Sequence, residues 1–428
     1  MKERRKMITL NMGYKRLDPA YLFSNIAERV NQYEHSHPKA KIIKLGIGDV
    51  TEPLPDACIK ALHKSVDEMA SKKTFKGYGP EQGYPFLRDV IAEKDYQQRG
   101  ANISSDEIFV SDGTKCDIAN FQELFSNDIK IAVMDPVYPV YIDTNVMAGR
   151  TGVSYLGRFS SITYLECTPE NNYMPDLPTS PVDLIYLCYP NNPTGQIITK
   201  KELEKWVQYA HENQALILYD AAYESFIQDP ELPHSIYEIP DARRVAVEFR
   251  SFSKSAGFTG LRCAYTVVPD NCRAYGVNES SYTLRSFWNR RQTTKFNGVS
   301  YPVQCAAHAV YSDEGQSQVK SLIDYYLKNA AVIREAFLSM GYQCTGGDNS
   351  PYIWINVKTD SWTFFDSLLN KTGVVCTPGI GFGNCGKTFI RISAFNDYHA
   401  VLEAVERIKQ SHDIILEDIE YQSKNKTY

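Results

Sequence analysis

The chain has 428 residues and carries 46 Lys and Arg against 51 Asp and Glu, a formal net charge of −5. Hydrophobic residues make up 43% and charged residues 23%, the balance of a folded globular protein and too apolar for disorder. No basic excess draws the chain to nucleic acid, and no apolar stretch of about 18 residues or more marks a membrane span.

The basic start, residues 2–6, is followed by three apolar positions, Met7, Ile8 and Leu10. A secretory segment needs about seven, so a cytoplasmic protein is expected. The ten Cys form no C-x-x-C pair and the eight His are scattered, which predicts free, mostly buried thiols and no metal site. Apolar runs predict strands over 108–110, 131–134, 184–188, 216–219, 245–249 and 263–268. Several are apolar throughout, as strands buried on both faces are. Between 188 and 216, Leu203, Trp206, Val207 and Ala210 share one helical face. Thr199 with Glu202 is a capping box for that helix. Strand, helix, strand at this spacing predicts βαβ units and a doubly wound α/β fold with a mostly parallel sheet flanked by helices. The last third changes pattern: a long helix over 316–340, strands at 352–357, 374–376 and 389–393, and helices near 362–371 and 398–411. This predicts a smaller α+β domain. The polar tail, 417–428, is expected to fray.

In a doubly wound sheet, ligands sit where strands end. After 110 comes Ser111-Asp112-Gly113-Thr114-Lys115, a turn opening a helix whose free N–H groups suit a phosphate. After 188 comes Tyr189-Pro190-Asn191-Asn192-Pro193-Thr194-Gly195, which is either a plain turn or an amide aimed into the crevice. After 219 stands Asp220-Ala221-Ala222-Tyr223, where the acid either caps a helix or faces a buried cation. After 249 comes Ser251-Phe252-Ser253-Lys254, with Arg262 beyond. Hydroxyls and a guanidinium are good phosphate ligands, and a lysine amine forms Schiff bases. A phosphate cradle, an amide, an acid, a tyrosine and a lysine on successive strand ends match the needs of pyridoxal 5′-phosphate.

On these motifs, together with Arg391, the chain resembles the class I/II aminotransferases of PLP fold type I from about residue 11 to about 410. The segments Leu45-Gly46-Ile47-Gly48-Asp49, Gly77-Tyr78-Gly79-Pro80-Glu81-Gln82-Gly83, Phe296-Asn297-Gly298 and Thr377-Pro378-Gly379-Ile380-Gly381-Phe382-Gly383 resemble the LL-diaminopimelate aminotransferase family. The resemblance implies three parts: an N-terminal arm and part of a small domain (1–57), a large cofactor-binding domain (58–298), and the rest of the small domain (299–428). It implies that Lys254 holds the cofactor and then shuttles a proton, and that Asp220 pairs with the ring nitrogen. Asn192 and Tyr223 would bond the ring hydroxyl, and Tyr138 would stack on the ring. Ser251, Ser253, Arg262 and the backbone of Thr114 and Lys115 would hold the phosphate. Tyr78 would reach it from a second subunit, which requires a homodimer. Thr114 departs from the family's usual Ala, a change that a backbone contact tolerates.

Arg391 would grip the substrate α-carboxylate. Tyr14, Gly48, Lys115, Tyr138, Asn192 and Asn297 would also contact substrate, with Glu81 a weaker candidate. The implied reaction converts LL-2,6-diaminopimelate and 2-oxoglutarate to tetrahydrodipicolinate and glutamate in lysine biosynthesis. The far end of that substrate bears both an ammonium and a carboxylate, and both must be matched when buried. A related aminotransferase acting on lysine, aspartate or aromatic amino acids is the alternative. A regulator carrying an aminotransferase-like domain would need a basic DNA-binding segment ahead of it.

Overall fold

A computed structural model describes residues 8–17, 22–276, 278 and 280–425. The basic start (1–7) and the last tail residues (426–428) lie outside the described residues.

The larger sheet has seven strands: β1 Ile108–Ser111, β2 Ile131–Asp135, β3 Ile162–Glu166, β4 Leu184–Cys188, β5 Leu216–Asp220, β6 Ala246–Ser251 and β7 Ala264–Val267. Their spatial order is β1-β7-β6-β5-β4-β2-β3. Only β7 runs against its neighbours; the rest are parallel. Every residue of β1, β2, β4, β5 and β7 is buried, because helices cover both faces. Strand β3 was not expected. Its sequence, Ile-Thr-Tyr-Leu-Glu, mixes polar and apolar residues because it forms the sheet edge.

The helices that place the site are α1 Thr114–Phe121, which follows β1, and α2 Val140–Met147, which follows β2. Helix α3, Lys200–Glu212, starts at Thr199, whose hydroxyl accepts from Glu202 N while the Glu202 carboxylate accepts from Thr199 N. Leu203, Trp206, Val207 and Ala210 are buried along its inner face, as the spacing predicts.

The second sheet is antiparallel, with strands β8 Gln343–Gly346, β9 Tyr352–Asn356, β10 Thr377–Pro378 and β11 Phe389–Ser393 in the order β8-β9-β11-β10. The long helix α4, Asp313–Ser339, packs on it and begins three residues earlier than expected, because Ser312 caps it through Gly315 N. Residues Ile43–Lys44 pair in parallel with Val374–Val375, and Ser393 N donates to Leu45 O. That stitching lays Gly46–Gly48 beside Arg391 on β11.

The tail expectation is corrected. Helices Tyr398–Gln410 (α5) and His412–Asn425 (α6) follow one another, and α6 packs on Ser361–Thr372. Ile415 and Ile419, one turn apart, are buried, and Asp418 accepts from Ser367 Oγ at 2.6 Å. An apolar pair at i, i+4 held this segment in place despite its polar composition.

Candidate active site

Strands β1, β4, β5 and β6 end at Ser111, Cys188, Asp220 and Ser251 along one edge of the large sheet. Beyond that edge lies a cavity of about 480 Å³. Gly48, Thr114, Lys115, Tyr138, Asn192, Asp220, Tyr223, Ser251, Ser253, Lys254, Arg262 and Arg391 all line it. Tyr14, Tyr78, Glu81 and Asn297 do not. Tyr14 and Tyr78 are exposed, at 60% and 89%. The Tyr14 turn rests on α2 of its own chain, with Asn11 Nδ2 donating to Met147 O. Asn297 is also exposed, just after Leu284–Lys295.

Asp220 closes β5 and is buried. Its Oδ2 accepts from the Tyr141 hydroxyl at 2.6 Å and its Oδ1 from Ala222 N at 3.0 Å. Among the described residues it makes no ion pair. Burial therefore pushes its carboxyl up to about 6, although both hydrogen bonds pull the other way. Sequence reasoning missed Tyr141. It sits in the first turn of α2, three residues after Tyr138 in the preceding loop; the two rings meet edge-on at 5.9 Å and both line the cavity.

Ser251 and Ser253 flank the start of a short helical turn, Phe252–Ser255, and Ser251 Oγ accepts from Ser253 N at 3.1 Å. Across from them, α1 opens directly after Gly113, with its first N–H groups unused by the helix. A Cβ on Gly113 would lie 2.2 Å from Arg262 Nη2, so the guanidinium approaches this turn as closely as only glycine permits. Arg262 itself takes φ +65°, a left-handed conformation that is costly for arginine. Donors from three segments converge here.

Lys254 Nζ donates to Gly48 O. Burial lowers its amine from 10.5 to about 8, with Arg391 and Arg262 adding repulsion and Asp49 opposing. Arg391 is buried at 1% exposure. Its Nη1 donates to Asn192 Oδ1 at 2.6 Å and its Nη2 to Gly46 O at 2.8 Å. Its Nε has no partner, and no carboxylate pairs with it among the described residues. The guanidinium lies over the rings of Tyr352 and Phe382 at 4.3 and 4.8 Å. Tyr352, also missed from sequence, shares a 2.8 Å hydrogen bond with the Tyr223 hydroxyl.

Residues 40–408 match the family model for aminotransferase class I and II. The chain is 64% identical to an LL-diaminopimelate aminotransferase of Desulforapulum autotrophicum, over 95% of this chain and 99% of that one. It is 59% identical to the enzyme of the same name from Desulfosudis oleivorans, over 94% and 99%. The solved L,L-diaminopimelate aminotransferase from Chlamydomonas reinhardtii superposes with a TM-score of 0.89 at 42% identity, covering 95% of this chain and all of that one. The chain belongs to the class I and II aminotransferases, in their LL-diaminopimelate aminotransferase branch.

Class I and II aminotransferases depend on pyridoxal phosphate, and the residues of this aminotransferase fit that group. A buried carboxylate without a cation, Asp220, suits a protonated ring nitrogen. A helix N-terminus, two serines and Arg262 suit a dianionic phosphate. A lysine amine with a lowered pKa suits an aldehyde. A buried guanidinium with an unused N–H, Arg391, suits a substrate carboxylate.

Proposed function

We propose that this chain transfers an amino group between LL-2,6-diaminopimelate and 2-oxoglutarate, giving tetrahydrodipicolinate and glutamate in lysine biosynthesis. It does so with pyridoxal 5′-phosphate, as a cytoplasmic homodimer. One observation carries the reading. Two buried groups of opposite charge, Asp220 and Arg391, each lack an ionic partner among the described residues and line the same cavity as Lys254. The cavity thus calls for a ligand with a cation at one place and an anion at another. The names of the relatives supply the substrate.

Bound pyridoxal phosphate supplies an aldehyde that condenses with amines and a ring that accepts the electron pair of a breaking Cα–H bond. Lys254 Nζ holds that aldehyde between turnovers. Once free, Nζ would take the proton from Cα as a neutral base, a form that burial of the amine favours. Asp220 keeps the ring nitrogen protonated, and Tyr141 and Ala222 N hold its carboxylate in place. Asn192 and Tyr223 would bond the ring hydroxyl, and Tyr138 would stack on the ring. Ser251, Ser253, Arg262 and the N–H groups of Thr114 and Lys115 hold the phosphate.

Arg391 orients the α-carboxylate. Gly48, Tyr138, Asn192 and Lys115 complete the substrate site within the chain. Tyr14, Tyr78 and Asn297 lie away from their own cavity and serve the other subunit's site, which makes the homodimer part of the mechanism. Residues 58–298 form the cofactor domain, and 1–57 with 299–428 form the smaller one.

The half-reaction tests this. Holoenzyme mixed with LL-diaminopimelate alone should lose its aldehyde-form absorbance within a turnover, and 2-oxoglutarate should restore it. A response to lysine, aspartate or tyrosine with none to LL-diaminopimelate would refute the substrate assignment.

A further inference from the structure

Tyr352 opens β9 and is buried at 1% exposure, yet it reaches three functional groups at once. The guanidinium of Arg391 lies 4.3 Å above its ring. Its hydroxyl is 2.8 Å from that of Tyr223. A Cβ on Gly48 would stand 2.4 Å from the same oxygen, so the absence of a side chain at 48 is what leaves this hydroxyl its place. The ring of Phe395, edge-on at 6.2 Å, closes another side. The side chain is thereby fixed between the group that grips the substrate carboxylate and the phenol that faces the cofactor.

A phenol has one proton to donate. When Tyr223 donates to the oxygen of the cofactor's ring hydroxyl, as the proposed function requires, Tyr352 has to be the donor in the Tyr352–Tyr223 pair. Hydrogen bonds in such a chain strengthen one another. We propose that Tyr352 is a positioning residue that acts through two neighbours, its hydroxyl committing the Tyr223 proton to the cofactor and its ring bracing Arg391 for the substrate carboxylate. The inference rests on the cofactor reading above and adds a residue and a route to it.

The two contacts can be separated. Tyr352→Phe keeps the ring under Arg391 and removes only the donor. Without it, Tyr223 stabilises negative charge on the ring oxygen less well, and that oxygen becomes more basic. The pH midpoint of the bound cofactor's absorbance change should rise by about 0.5 pH unit, the scale of one weakened hydrogen bond. kcat should fall a few-fold with little change in KM. Tyr352→Leu, which also removes the ring, should raise KM for the amino donor about tenfold, the scale of a desolvated cation–π contact.

The decisive comparison is a cycle with Tyr223→Phe. Because Tyr352 works through Tyr223, its substitution should move the absorbance midpoint no further once Tyr223 is already Phe. A structural role alone would give additive shifts in the double variant. Additive shifts, or an unmoved midpoint in Tyr352→Phe, would overturn the inference and leave the cofactor assignment standing. A wild-type protein that takes up no pyridoxal phosphate would overturn both.

Discussion

Replacing Asp220 by Asn should make the cofactor-free protein more stable and the loaded enzyme nearly inactive. In the absence of cofactor the carboxylate is buried without a cation, and its pKa stands at about 6 against an ordinary 3.8. A raised pKa in an acid means that the folded state prefers the neutral form. Folding is thus unopposed by this group below about pH 4, and it loses stability as pH climbs from there to 6. Above pH 6 the full cost applies. At about 1.4 kcal/mol per pH unit, the gap between the two values corresponds to about 3 kcal/mol.

Asn has the same shape and can still accept from Ala222 N, while its amide donates to the Tyr141 oxygen. The substitution therefore removes the charge with little loss of packing. Denaturant unfolding of both apo proteins at pH 4.5 and pH 7.5 checks this. The variant should gain on the wild type by up to about 3 kcal/mol at pH 7.5, and the advantage should shrink at pH 4.5. In the same variant, turnover should fall by at least about 10³-fold, because nothing then keeps the ring nitrogen protonated. An apo variant less stable than wild type at pH 7.5 would refute the view of Asp220 as an anion awaiting a cation.

Lys254→Ala should still bind pyridoxal phosphate, seen by gel filtration and absorbance, while transamination drops by more than about 10⁴-fold. Near-wild-type turnover would exclude Lys254 as the attachment residue. The rate at which apoenzyme takes up cofactor should rise about tenfold per pH unit below pH 8 and level off above it. Only the neutral Lys254 amine attacks the aldehyde, and burial sets its pKa at about 8. Stopped-flow absorbance reads this directly, and a plateau delayed beyond pH 10 would mean an ordinary lysine. Ile415→Ala should cost about 2–4 kcal/mol in denaturant unfolding, because α6 is docked through this buried side chain.

Much of the large sheet was legible because its central strands are buried on both faces and read as unbroken apolar runs. Ile131–Asp135, Leu184–Cys188 and Leu216–Asp220 are of this kind. The edge strand Ile162–Glu166 was not, since Thr163, Tyr164 and Glu166 break its apolar run. The tail failed for a related reason. Glu417, Asp418 and Glu420 dominate its composition, whereas two isoleucines decide its burial. In the site, the residues at strand ends were readable because chemistry-bearing types followed apolar runs at several places. Tyr141 and Tyr352 were not, since a buried tyrosine beside apolar residues looks like core until its hydroxyl partner is known. What marks them is long-range: Tyr141 meets Asp220 from 79 positions away and Tyr352 meets Tyr223 from 129.

The most direct test of the central claim is the complete reaction. Purified holoenzyme given LL-diaminopimelate and 2-oxoglutarate should form one glutamate for each LL-diaminopimelate consumed, and Lys254→Ala should form none. Glutamate formation from aspartate, lysine or an aromatic amino acid, with none from LL-diaminopimelate, would contradict the account.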